Sequence, residues 1–133
     1  MNQIRILLIG LGPHAKRIYY PICERDGKTY NIQLVYAVDL EEKRTDITRF
    51  LAEKNDTSTQ VYFISTQDRT YDKLSFAVEN RLNQIIKQFN IRGVIISTEP
   101  RVHRMYALWA LGKGLSVLMD KPISIHESIS TNP

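Results

Sequence analysis

An apolar run that leads straight into two glycines one residue apart leaves a chain few folds to choose from. Here Ile4-Arg5-Ile6-Leu7-Leu8-Ile9 is followed by Gly10-Leu11-Gly12-Pro13-His14-Ala15. A nearly continuous apolar run bounded by glycine predicts a strand buried on both faces, as in parallel sheets. Pro13 suits the first turn of a following helix, where its missing N–H costs nothing. In a strand–turn–helix unit of this kind the first glycine permits the bend and the second lets backbone come close to a pyrophosphate. A small third residue, here Ala15 in place of the usual glycine, lets the helix pack closely. An anion would sit at the helix start, where unpaired N–H groups favour negative charge. The same residues also describe an ordinary strand-to-helix turn with glycine at positive φ. On the binding reading, Gly10, Gly12 and Pro13 hold the phosphates, and His14 either approaches them or faces solvent.

The rest of the chain repeats the strand-then-helix pattern. Ile18, Tyr19 and Ile22 supply an inner face for the first helix. Pro21, about two turns in, predicts a kink or an end. Glu24-Arg25-Asp26-Gly27-Lys28 reads as a solvated loop. Ile32 to Val38 is a second strand ending in Asp39. An acidic residue at that point receives the adenosine ribose hydroxyls in dinucleotide-binding folds, although Asp39 lies further from Gly12 than the usual ~20 residues. It can also simply cap the next helix. Residues 41–54 are helix-like and polar, with Ile47, Phe50 and Leu51 as a narrow apolar stripe. Val61-Tyr62-Phe63-Ile64 is a third strand. From about Leu74, the residues Leu74, Ala77, Val78, Leu82, Ile85, Ile86 and Phe89 recur at helical spacing and predict a core-facing helix. Gly93 to Thr98 is a fourth strand, punctuated by Glu99-Pro100. A helix from about Val102 buries Val102, Met105, Tyr106, Trp109 and Leu111, and ends at Gly112 and Gly114. Ser116 to Met119 is a fifth strand, ending in Asp120-Lys121-Pro122.

Alternating strands and helices predict an α/β doubly wound parallel sheet, Rossmann-like, with right-handed crossovers and strand order 3-2-1-4-5. In that order a ligand lies at the carboxyl ends of strands 1 and 4. Gly10, Gly12, Asp39, Thr98, Glu99, Pro100 and Asp120 all fall at carboxyl ends. Their convergence weighs more than any one motif.

Bulk properties exclude several classes. The 133 residues predict a single domain, residues 1–133. No apolar run approaches the ~18 residues of a membrane span, and the N-terminus lacks the build of a signal peptide. The lone Cys23 has no disulfide partner in the chain, and the three histidines have no metal-site spacing. A reducing, cytoplasmic setting fits. The net charge of +4 suits an anionic ligand. Lys and Arg are interleaved with Asp and Glu, which argues against nucleic acid.

The fourth and fifth strands carry a more specific pattern. Val94-Ile95-Ile96-Ser97-Thr98-Glu99-Pro100, then His103, Ala107, Ala110-Leu111-Gly112-Lys113-Gly114 and Val117-Leu118-Met119-Asp120-Lys121-Pro122 stand in order. This segment resembles the N-terminal domain of the glucose–fructose oxidoreductase and inositol dehydrogenase family of nicotinamide-dependent oxidoreductases. The resemblance runs from Ile4 to about Ser124 and is loosest between about Glu41 and Asn90. Asp120 replaces the family's Glu and keeps the carboxylate. Glu99 brings a charge near the expected place of the nicotinamide ribose.

The resemblance implies oxidation of a secondary alcohol of a sugar or cyclitol. Lys121 matches the family lysine near the reacting hydroxyl; a lysine beside a cationic nicotinamide has a lowered pKa, suited to proton relay. Taken without the resemblance, Lys121 is an exposed strand-end lysine. His103 either lines the cofactor site or hydrogen-bonds backbone at the helix start. Asp39 favours NAD over NADP because a carboxylate repels a 2′-phosphate; Arg44, a turn further on, is the residue that could receive one.

The family's second, substrate-binding domain has no counterpart here, nor do the last helix and strand of the cofactor domain. The expectation is therefore a truncated dinucleotide-binding domain, inactive alone, whose small polar alcohol substrate needs the missing half. A non-catalytic nucleotide-binding or redox-sensing module is the alternative. An open sheet edge makes a homo-oligomer plausible.

Overall fold

The computed structural model describes residues 3–120. Five parallel strands form one sheet in the order β3-β2-β1-β4-β5: β1 (Ile4–Ile9), β2 (Ile32–Leu40), β3 (Gln60–Ile64), β4 (Ile91–Ile96) and β5 (Ser116–Met119). This is the predicted Rossmann-like order. Leu7, Leu8 and Ile9 are each almost wholly buried, so β1 is covered on both faces. Its register against β2 shifts between Ile6 and Leu7, where Ile6 pairs with Leu34 and Leu7 with Tyr36. Val35 is the extra residue of that bulge. It packs with Tyr36 and Val38 on one face while Leu34 and Ala37 face the other.

Helices cover both faces. On one, α4 (Phe76–Gln88) and α5 (His103–Gly112) bring Val78, Leu82, Ile85, Met105, Tyr106 and Trp109 onto Leu7, Ile9, Val94 and Ile96. Trp109 Nε1 donates to Asn83 Oδ1 at 2.9 Å, joining the two helices with no buried donor left over. On the other face, α1 (Pro13–Arg17), α2 (Tyr19–Tyr30) and α3 (Arg44–Glu53) place Ala15, Tyr20, Ile47 and Leu51 against Leu8, Leu34 and Ala37. The Tyr20 hydroxyl donates to Asp56 Oδ2 at 2.7 Å; burial first and this carboxylate second push its ionisation well above the ordinary range. None of these helices is long and apolar enough to cross a membrane.

Several local expectations change. Glu24 to Lys28 is not a solvated loop but the middle of α2. The chain breaks instead at Ile18 (φ −110°, ψ −64°), which puts Pro21 in the first turn of a new helix, where its missing N–H breaks no bond. Glu24, Arg25 and Lys28 are exposed on the outer side of α2, and the buried Gly27 lies beneath it. A Cβ on Gly27 would stand 2.8 Å from the Ile32 carbonyl oxygen, so glycine lets α2 settle onto the start of β2. The break also turns the apolar face: Ala15 and Tyr20 are buried, while Ile18 and Ile22 are more than a third exposed.

Along α5 the buried stripe is Met105, Tyr106, Trp109 and Ala110, which leaves Leu111 60% exposed, against expectation. Ala77 is likewise on the exposed side of α4, which begins only after Ser75, whose hydroxyl caps the Val78 N–H.

Candidate functional site

The carboxyl ends of β1, β2, β3 and β4 open onto one cleft of about 520 Å³. Its floor is the glycine turn. Gly10 sits at φ +94°, a conformation that L side chains rarely adopt, and a Cβ there would lie 2.7 Å from the Ser97 carbonyl carbon. Gly10 therefore allows β1 to turn while staying against β4. Three hydrogen bonds fix the turn. Gly10 N–H donates to the Val38 carbonyl at 2.7 Å, Ser97 N–H to the Ile9 carbonyl at 2.8 Å, and Leu11 N–H to Asp39 Oδ2 at 2.8 Å. Gly12, the N-cap of α1, has extended backbone, and a Cβ on it would meet nothing within 4 Å. One glycine is thus required by the protein's own backbone, whereas the other leaves open space above the turn.

Asp39 stands between the turn and the cleft. Besides the Leu11 N–H, it accepts the Leu40 N–H on Oδ1 at 2.7 Å. The expected alternative, in which it caps the next helix, does not describe these bonds. The segment after β2 begins with a 3-10 turn over Glu41–Lys43 whose N-cap is Leu40. Each carboxylate oxygen keeps a second lone pair for a ligand hydroxyl. Arg44 pairs with Glu41 at 2.8 Å and lies over the Phe63 ring, 4.3 Å from its centroid.

At the far end, Asp120 gathers three side chains. The Tyr19 hydroxyl donates to Oδ1 at 2.5 Å, the Ser97 hydroxyl to Oδ2 at 2.9 Å, and His14 Nε2 stands 3.2 Å from Oδ1. Burial alone raises this carboxyl's pKa, but the hydrogen bonds from Tyr19 and Ser97 and the positive influence of His14 and His103 outweigh it. The net effect holds the carboxyl below its ordinary value. Tyr19 is pushed up to about 12, by burial first and by Asp120 second. The result is a carboxylate kept ionised beside a phenol kept protonated.

Of the residues anticipated from the sequence, Gly10, Gly12, Pro13, His14, Asp39, Thr98, Glu99 and Asp120 line this one cleft. Pro100 and His103 do not. Pro100 opens a 3-10 turn, and the fully buried His103 brings Nε2 to 2.8 Å from the Thr98 carbonyl oxygen, the backbone alternative foreseen for it. The Glu99 charge is met by Arg101 at 3.0 Å. Lys121 lies outside the described residues. Ser97, Tyr19, Glu42, Asp68, Arg69, Thr70 and Tyr106 were not anticipated. The rule that every strand's carboxyl end faces the ligand could have found Ser97 after β4 and residues 65–70 after β3. Among the described residues no group of three potential ligands could hold a metal ion.

Comparisons with known proteins agree with this geometry. The family model described as an oxidoreductase family with an NAD-binding Rossmann fold matches residues 4–130. Among solved structures, the crystal structure of a dehydrogenase from Chromobacterium violaceum is similar, with a TM-score of 0.63 at 19% sequence identity. The match covers 98% of this chain and 32% of that one, so this chain spans about a third of that dehydrogenase's length. At that identity the likeness speaks for the fold. No curated protein matches the chain.

Proposed function

Because the chain belongs to the glucose–fructose oxidoreductase and inositol dehydrogenase family, whose hallmark is an NAD-binding Rossmann domain, we propose that its cleft holds NAD in preference to NADP. We propose further that it serves the oxidation of a secondary alcohol on a sugar or cyclitol. The observation that carries the cofactor preference is the Asp39 carboxylate at the mouth of the cleft, locked by the Leu11 and Leu40 N–H groups. Its remaining lone pairs suit two ribose hydroxyls, and its charge opposes a 2′-phosphate.

The residues present fit a dinucleotide. Gly12 leaves room for a pyrophosphate to approach the backbone, and Gly10 keeps the floor low. The cleft runs from Asp39 and Glu42 at one end to Asp120 at the other. When bound, the nicotinamide supplies a hydride acceptor. The chain's own residues bind and orient. Asp120, held ionised by Tyr19 and Ser97, offers a fixed negative group at the end where the resemblance puts the reacting ring. Lys121, next in sequence, is proposed on the resemblance to face the substrate hydroxyl and relay its proton. Substrate contacts are proposed to come from a second domain, in keeping with the greater length of the similar dehydrogenase.

Titration of the chain with NADH and with NADPH, followed by calorimetry, tests this reading. NADH should bind the more tightly. Failure of both to bind at millimolar concentration would overturn it.

A further inference from the structure

The segment between β3 and α4 forms one wall of the cleft near Asp39, and it is tightly folded. Ser65 Oγ donates to Asp68 Oδ2 at 3.1 Å, Ser75 Oγ to the Asp68 carbonyl at 2.9 Å, and Thr70 Oγ1 to the Lys73 carbonyl at 2.6 Å. From this wall Arg69 reaches across to the segment after β2, where its Nη1 donates to Glu42 Oε1 at 3.0 Å. Its guanidinium also lies 5.5 Å from the centroid of the Tyr71 ring. Glu42, Arg69 and Asp39 line the same cleft, and Asp39 and Arg69 both act electrostatically on the Tyr106 hydroxyl from opposite signs. A cation therefore stands at the end of the cleft where Asp39 awaits the ribose. An arginine in such a place is a ready phosphate ligand, since its planar fork matches phosphate oxygens.

We propose that Glu42 is a specificity-determining residue that withholds Arg69 from a 2′-phosphate. The inference rests on the dinucleotide reading of the cleft. With Glu42 in place, two effects oppose NADP together: Asp39 repels the phosphate, and the cation that would compensate is already engaged. Without Glu42, Arg69 is released next to the ribose edge, and a 2′-phosphate gains a charge-assisted partner. Arg44 cannot take the part as readily, because Glu41 holds it through both Nε and Nη2.

The test is the ratio of the NADPH and NADH dissociation constants, measured by nucleotide fluorescence for the wild-type chain, Glu42→Gln and the double variant Glu42→Gln/Arg69→Met. Glu42 is exposed and Arg69 is partly buried, and circular dichroism checks that each variant is folded. Glu42→Gln should lower the NADPH:NADH ratio about tenfold, the worth of one charge-assisted hydrogen bond to a phosphate. The double variant should return the ratio to within about twofold of wild type. An unchanged ratio in Glu42→Gln overturns the proposal. So does a gain that persists in the double variant, which would assign the effect to lost repulsion or to Lys43, also on the cleft wall. If the wild-type chain binds neither dinucleotide, the cleft reading itself falls, and this inference with it.

Discussion

The two glycines of one turn should respond in opposite ways to the same substitution. In Gly10→Ala the new methyl group meets main chain, 2.7 Å from the Ser97 carbonyl carbon and 3.0 Å from the Thr98 nitrogen. Backbone tied to β1 through the Ser97 N–H cannot step aside as a side-chain tip can. Holding a non-glycine residue at φ +94° costs about 1–3 kcal/mol. Displacing Ser97 weakens its bond to the Ile9 carbonyl, worth a further ~1 kcal/mol. The sum is roughly 2–4 kcal/mol out of a total stability of about 5–15 kcal/mol. At roughly 3–5 °C per kcal/mol for a domain of this size, Tm should fall by about 10 °C.

Gly12→Ala meets nothing within 4 Å, in a backbone conformation open to any residue. Alanine is a poorer N-cap than glycine, but it also narrows the unfolded ensemble by ~0.4–1 kcal/mol, so the two effects nearly cancel. Gly12→Ala should melt within about 3 °C of wild type yet lose NADH affinity by more than tenfold, because the methyl group occupies the approach of the pyrophosphate. Thermal melts by circular dichroism and NADH titrations on both variants give the four values needed. A Gly10→Ala protein that melts like wild type would refute the steric argument. A Gly12→Ala protein that binds NADH normally would refute the pyrophosphate seat.

Other expectations concern the two carboxylates and the helix pair. Asp39→Ala leaves the buried Leu11 N–H without its acceptor, at a cost of about 1–3 kcal/mol in urea unfolding; it should also weaken NADH more than NADPH, and equal losses would remove Asp39 from the ribose. For Asp120 the folded carboxyl titrates below its unfolded value, so its contribution is complete above the unfolded pKa of about 3.9 and disappears as pH falls through the lower folded value. Asp120→Asn should therefore cost about 1–2 kcal/mol in urea unfolding at pH 7 and progressively less as the pH falls below the unfolded pKa; a pH-independent difference would mean that the charge is not what matters. Trp109→Phe removes the donor to Asn83 and leaves a small void between α4 and α5, which should cost about 1–3 kcal/mol by chemical denaturation; a neutral result would show that the pair is held by packing elsewhere.

The sheet was legible in the sequence because a strand covered on both faces must be apolar at nearly every position, and Leu7-Leu8-Ile9 and Val94-Ile95-Ile96 are. The ends of those strands were legible for the complementary reason: Gly10, Asp39 and Asp120 interrupt apolar runs where the chain emerges into a cleft. What escaped notice depends on contacts across space. Residues 24–28 look like a loop because Glu24, Arg25 and Lys28 face solvent from α2 and Gly27 packs beneath it, against Ile32. The break at Ile18 shifts the buried face from Ile18 and Ile22 to Ala15 and Tyr20. The partnership of Tyr19 with Asp120 joins residues 101 positions apart, and no local pattern announces it. Arg69 sits in a turn with no periodicity; only the fold brings it opposite Glu42.

The glycine turn is fastened to β2 through Val38 and Asp39 and to β4 through Ser97. Its conformational entropy is therefore surrendered during folding, and a ligand that settles there need not order it again. Association should proceed in a single kinetic phase at roughly a million per molar per second, set by diffusion and orientation, with no slow rearrangement behind it. The same fastening makes the turn a poor dial for evolution. Its shape is either kept or lost with the fold, so affinity and selectivity have to be tuned from the walls, by side chains such as Glu42 and Arg69 that can change while the sheet stays as it is.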